Sequence, residues 1–240
     1  MKGWMKKFGV ATLLSSSVLC SVSCAENENM LVILGVMTAD PPECTYLASG
    51  SSAVLLSGSV DVAFGGYYDA VLLVANQLVR TAAKSRLRAE ATNIHINNAV
   101  VTLLLDGQAA FESYSVPATG FVPVGTGEES GYGAIGVALM PGVPLPSGTH
   151  YVIAEVRLQG TTSGGDDIES NRFRFQIAVT DSRAGSGAVV YNASANGRGY
   201  CDETVCSQSG ATASTCGVMG QDGPVDCCAC LGLDFCREAP

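Results

Sequence analysis

Between residues 30 and 192 apolar and polar residues alternate repeatedly with a period of two, the period of half-buried strands. Met30 to Met37 is a continuous apolar run, bounded by polar residues and then by Pro41-Pro42, and it predicts a buried strand. Ser57 to Phe64 alternates, with Val60, Val62 and Phe64 on one face, and Gly65-Gly66 predicts a turn after it. Tyr68 to Val79 predicts a long strand with Ala70, Leu72, Val74 and Leu78 on one face. Asn76 interrupts that face, which suggests a bulge or a strand that crosses a rim. Ile94 to Leu105 and Ala109 to Val116 flank Asp106-Gly107, a strong hairpin signal. Gly133 to Met140, Tyr151 to Leu158 and Arg172 to Thr180 complete the set. In the last, Phe173, Phe175, Ile177 and Val179 face one way and Arg172, Arg174 and Gln176 the other. Pro117 to Tyr132, rich in Gly and Pro, reads as a long loop, and Ala82 to Ala91 as a short helix, a charged loop or the start of a strand.

Many short strands, little helix and frequent turns predict a mainly β fold: an antiparallel β-sandwich of immunoglobulin or fibronectin type, or a Greek-key barrel. The Cys-Trp-Cys hallmark of true immunoglobulin domains is absent, because the sole Trp is Trp4. No period of about 20–50 residues repeats, which disfavours solenoids and propellers.

The ends of the chain break this pattern. Lys2, Lys6 and Lys7 precede an apolar stretch from Phe8 to Leu19, and small residues follow at Ser21-Val22-Ser23. That order is the order of a secretory signal, and the stretch is short for a membrane span of about 20 residues. Residues 1–23 therefore read as a signal peptide. Two modes of cleavage fit: ordinary processing next to Cys24, or lipoprotein processing in which Cys24 carries the lipid. Leu19-Cys20-Ser21-Val22-Ser23-Cys24 resembles a bacterial lipobox, with Ser21 where that pattern prefers Leu. Parity favours lipidation. Loss of Cys20 with the signal and modification of Cys24 leave eight cysteines, an even set: Cys44, Cys201, Cys206, Cys216, Cys227, Cys228, Cys230 and Cys236. Residues 24–29 then read as a lipidated cysteine with a polar tether. The lipobox resemblance implies the outer membrane, since Ala25 rather than Asp follows Cys24.

Residues 193–240 read as a disulfide-stapled tail. Seven cysteines lie there among few large apolar side chains, so cross-links must supply the order that a core cannot. Seven is odd, and complete pairing sends one bond to Cys44. A metal site built on Cys227, Cys228, Cys230 and Cys236 is the rival reading. The tail has no His, an envelope is oxidising, and no second C-x-x-C matches Cys227 and Cys230. A redox dithiol lacks its βαβ setting.

Charge narrows the partners. Beyond the signal, ten basic residues stand against twenty-two acidic ones, a net charge of −12. Phosphate backbones repel such a chain, so nucleic acid is not an expected partner. Attraction to anionic lipid would need the anchor.

Catalytic signatures are sparse. The two histidines, His95 and His150, lie in a strand pattern and at a turn, and neither belongs to H-E-x-x-H. Neither a G-x-S-x-G elbow nor a Walker A motif occurs. Gly131, Gly133 and Gly136 match G-x-G-x-x-G by spacing but follow a loop and open no helix. Asp166, Asp167 and Glu169, after Gly164-Gly165, form the best carboxylate cluster. They suit a solvated hairpin loop and, as a second reading, a Ca²⁺ site with oxygen ligands. Glu128-Glu129 is a weaker pair. No cofactor is expected.

The lipobox-like start, Glu43-Cys44-Thr45-Tyr46, Leu72-Leu73-Val74-Ala75-Asn76-Gln77-Leu78-Val79, Arg86-Leu87-Arg88-Ala89-Glu90 and the Cys-rich end together resemble cell-envelope lipoproteins of myxobacterial type. The resemblance covers most of the mature chain and implies no activity and no functional residue. The expectation is a non-catalytic, lipid-anchored envelope protein with a structural or binding role. It would meet the membrane through its lipid and a protein or glycan through its sandwich. The alternatives are a secreted hydrolase using His150 or His95, and a Ca²⁺-dependent adhesion module.

Overall fold

The computed structural model describes residues 30–78, 93–105, 107–126, 129–142, 144–145, 151–181, 189–190, 216, 218, 220–222 and 225–226. In chain order the strands are β1 (Leu31–Met37), β2 (Val54–Leu55), β3 (Ser57–Asp61), β4 (Tyr67–Asn76), β5 (Ile94–Leu105), β6 (Gln108–Ala109) and β7 (Tyr114–Val122). There follow β8 (Gly131–Pro141), β9 (Tyr151–Thr162), β10 (Asp167–Glu169), β11 (Phe173–Thr180), β12 (Val189–Val190) and β13 (Val225–Asp226).

Two sheets carry the fold. One has the order β2-β1-β4-β8. The other runs β3-β11-β9-β5, with β6 and β7 sharing the far edge of β5 and β10 paired to β9. Neighbours are antiparallel except for β3 on β11 and β12 on β13, which are parallel. The chain is thus a mainly β, sandwich-like protein. The period-two residues of both sheets meet in one core. Leu72, Val74, Ile135 and Leu139 of the first sheet face Val101, Leu103, Val156, Leu158 and Ile177 of the second. Burial of such side chains contributes about 1.5–3 kcal/mol each. Tyr68 and Phe175, both fully buried, bring their rings to 5.7 Å across the layers.

Both flanks of the sandwich are sewn shut. Asn171, between β10 and β11, accepts a hydrogen bond from the Ile33 N–H at 2.7 Å. Its own N–H donates to the Leu31 carbonyl at 3.2 Å, so the second sheet grips the free edge of β1. On the other flank β7 lies against β8. A Cβ at Gly133 would stand 2.7 Å from the Phe121 carbonyl oxygen, so the strands approach closely only because that side chain is missing.

Several boundaries differ from expectation. Ser57 to Phe64 is not one strand: β3 stops at Asp61, whose carboxylate accepts from the Ala63 N–H at 3.0 Å and caps a 3-10 turn over Val62–Phe64. The turn closes on Gly65 with φ at 113°. Residues 117–132 are not a long loop. β7 runs on to Val122 and β8 begins at Gly131, leaving residues 123–130 between them. Pro117 is tolerated inside β7 because it stands opposite Asn98, where the pairing with β5 shifts register. The strand through Tyr68 ends at Asn76, and its bulge falls at Tyr68/Asp69, not at Asn76. Asn76 is buried at the rim, where its amide donates to the Val122 carbonyl at 3.4 Å. The predicted hairpin turn is present, with Gly107 at φ 79° and Leu105 paired to Gln108, while Asp106 lies outside the described residues. Residues 82–91 lie outside the described residues.

Candidate binding groove

The outer face of the four-stranded sheet is not bare. Leu73 and Ala75 alternate with the core residues Leu72 and Val74 and so point outward, yet they are 2% and 3% exposed. The connection between β1 and β2 folds over them, with Gly50 against the Tyr132 ring. This connection carries Cys44, which is disulfide-bonded to Cys216, 172 residues away.

Beyond that bond the tail clips onto β3. The Gly220 carbonyl accepts from the Asp61 N–H at 2.8 Å, and the Asp222 N–H donates to the Ser59 carbonyl at 2.9 Å. Gln221 bridges antiparallel to Val60, so β3 is paired on both edges. Side chains complete the clip. The Asp222 carboxylate accepts from the Ser59 N–H at 2.8 Å and from the Tyr68 hydroxyl at 2.6 Å. Burial above all, then the hydrogen bond and charge of Asp222, hold the Tyr68 phenol neutral well above its usual range. The Gln221 amide mimics a strand neighbour for β4. Its oxygen accepts from the Asp69 N–H at 3.1 Å and its nitrogen donates to the Asp69 carbonyl at 2.6 Å. Gly220 adopts φ 81° against the Phe64 ring, where a Cβ would stand 2.8 Å away.

Clip and sheet together enclose a groove of about 340 Å³. Its floor is a tile of four small or short residues, Asp69 beside Ala138 and Val71 beside Gly136. Tyr46, 38% exposed, Val218, 50% exposed, and Gln221 also line it. Among the described residues no group bonds the Asp69 carboxylate; its main-chain groups hold Gln221 and the side chain is left for solvent or ligand.

Charge is divided between the two outer faces. The elements that build the groove contain no Lys or Arg. The described cations, Arg157, Arg172 and Arg174, all lie on the outer face of the larger sheet. There Arg172 and Arg174 pair with Glu155 at 3.2 and 2.8 Å, and Arg157 with Glu169 at 3.3 Å.

Of the residues singled out by sequence, Cys44 and Cys216 are joined, whereas the described histidine and carboxylates stand apart from the groove. His95 is exposed on β5, its ring 5.3 Å from Phe121. Asp166 and Asp167 are exposed at the β9–β10 hairpin, while Glu169 is engaged by Arg157 and by Gln159. Among the described residues, no cluster with the makings of a metal site occurs, so Asp166, Asp167 and Glu169 do not converge as ligands. Gly131, Gly133 and Gly136 lie within β8; the first two serve the seam and the third the groove floor. Cys24, His150, Cys201, Cys206, Cys227, Cys228, Cys230 and Cys236 lie outside the described residues, as does Glu128. Sequence reading passed over the groove itself. Its faint signal is Asp69, a lone charge on the outward phase of an otherwise apolar strand, opposite the small residues Gly136 and Ala138.

No family model matches the chain, and no curated protein matches it by sequence. Among solved structures it is similar to the CooA pilin subunit from enterotoxigenic Escherichia coli, at 9% identity and a TM-score of 0.25, over 62% of this chain and 98% of that one. At that score the sandwich assignment rests on strand pairing and core composition, which make this chain a mainly β protein of two main sheets with its tail disulfide-bonded to the β1–β2 connection.

Proposed function

We propose that this chain is a non-catalytic, lipid-anchored cell-envelope protein that uses the groove beside the Cys44–Cys216 bond for contacts with a protein or a glycan. The groove carries the reading. It is concave, sets the small apolar residues Val71, Gly136 and Ala138 beside the Asp69 carboxylate, and carries the Tyr46 ring, a make-up of apolar surface with few polar groups that suits recognition. A disulfide and a set of tail hydrogen bonds also hold one of its walls in place.

The anchor rests on the lipobox-like residues before Cys24 and on cysteine parity. The Cys44–Cys216 bond leaves six cysteines in the tail, an even number, so lipidation of Cys24 leaves no odd thiol. Ala25 favours the outer membrane, and the likeness to myxobacterial-type envelope lipoproteins points to the same compartment.

Two measurements test this. Intact mass of protein extracted from membranes is expected to show a chain that starts at Cys24 and carries acyl groups; a longer or unacylated chain overturns the anchor. A photo-crosslinking residue at Val218 in living cells is expected to trap an envelope component, and the same residue at Gln176 on the opposite face is not. Equal trapping at both positions, or none at Val218, overturns the groove.

A further inference from the structure

The groove has a definite chemical bias. Asp69 offers a carboxylate with no described protein partner, and Gln221 fixes the strand beneath it through both main-chain groups. Tyr46 presents an aromatic ring on the rim, and such rings attract ammonium and guanidinium groups. Val71, Gly136 and Ala138 add apolar surface beside Asp69 in the same groove. The field points the same way. Asp40 and Glu43 flank the Cys44 segment, no basic residue lies in any groove element, and the described arginines stand on the far side of the sandwich. Among the described residues, this face carries negative charge and no cation.

We infer that the groove takes a lysine side chain from a basic segment of a partner protein, its methylenes on Val71, Gly136 and Ala138 and its ammonium between Asp69 and Tyr46. The inference rests on the binding reading above and names the chemistry of the partner. Lysine suits the floor better than a compact cation does, because its four-carbon stem covers apolar surface while its head reaches the carboxylate.

The test is calorimetric titration of the full chain in detergent with acetyl-tetralysine amide. Controls are the same peptide acetylated on every lysine, and putrescine. Two variants report on the site. Asp69→Asn removes the charge and keeps the main-chain bonds to Gln221. Gly136→Leu fills the floor at a position where a Cβ meets nothing within 4 Å, and its melting temperature, measured beside the parent's, shows that the fold is kept. Saturable binding of tetralysine is expected, weakened about tenfold or more by peptide acetylation and by each variant. Raising salt from about 50 to about 500 mM weakens it further, as screening of an exposed pair requires. Absence of saturable binding, or binding indifferent to both variants, overturns the inference. Putrescine binding as tightly as the peptide overturns the assignment to a protein segment. If tetralysine fails while the Val218 crosslink persists, the lysine assignment falls and the binding reading stands; loss of both results removes both.

Discussion

The Tyr68 hydroxyl and the Asp222 carboxylate meet at 2.6 Å although 154 residues separate them in the chain. One partner is buried in the sandwich and the other belongs to the tail, so this single bond couples the two parts. Tyr68→Phe keeps the ring among its core neighbours and removes only the bond. It is expected to cost about 1.5–3 kcal/mol, the range for hydrogen bonds to charged groups, read as a lower urea midpoint with an unchanged slope. The same residue sets a pH dependence. Burial and Asp222 raise its folded-state pKa, and burial raises that of Tyr114, whose hydroxyl donates to the Leu139 carbonyl at 2.8 Å. The folded protein therefore keeps phenolic protons that the unfolded chain releases above about pH 10. The associated stability is fully present below that pH and is lost as pH rises towards the folded-state values. A falling melting temperature above about pH 10, flattened in Tyr68→Phe, is the expected result; equal falls in both proteins would exclude Tyr68. Nothing local in the sequence marks either residue. Tyr68 reads only as the start of a long strand and Asp222 draws no notice, because their meaning lies in a contact that only the tertiary fold makes.

At the scale of elements the sequence was most legible where one face is wet and the other dry. β11 shows this well: Phe175 and Ile177 are fully buried while Arg174 and Gln176 are exposed, and Glu155 on β9 collects the arginines. Legibility failed at Pro117 and at Gly131, the first of the three β8 glycines, where residues that usually break strands are used for a bulge and a seam. Two of those glycines give opposite predictions from one strand. Gly133 packs against the Phe121 main chain, and Gly133→Ala must push β7 and β8 apart, at a cost of about 1–3 kcal/mol. Gly136 faces open space, so Gly136→Ala removes backbone freedom from the unfolded chain and is expected to stabilise by about 0.5–1 kcal/mol. Chemical denaturation of the pair measures both. Similar destabilisation by the two substitutions would mean that the groove floor at Gly136 is already filled.

For the whole molecule the question is what the Cys44–Cys216 bond holds in place. Cysteine parity pointed from the tail to Cys44, but it could not choose among seven tail cysteines; Cys216 is chosen by geometry, since it lies where the β1–β2 connection crosses the outer sheet face. In the chain-entropy view, closing a loop of 172 residues is worth about 5 kcal/mol, an upper figure for a tail that also docks by hydrogen bonds. The sandwich core does not include Cys44 or Cys216, so losing the bond is expected to free the clip and leave the sheets paired. Hydrogen exchange separates these outcomes residue by residue. The Asp61 and Ser59 amides donate to Gly220 and Asp222 of the tail, whereas the amides of β5 and β9 bond within the larger sheet. In the double variant Cys44→Ser/Cys216→Ser, exchange at Ser59 and Asp61 should accelerate by about tenfold or more while protection of β5 and β9 persists. Uniform acceleration across the sheets would mean instead that the tail is part of the cooperative unit, and that the groove cannot be lost without the fold.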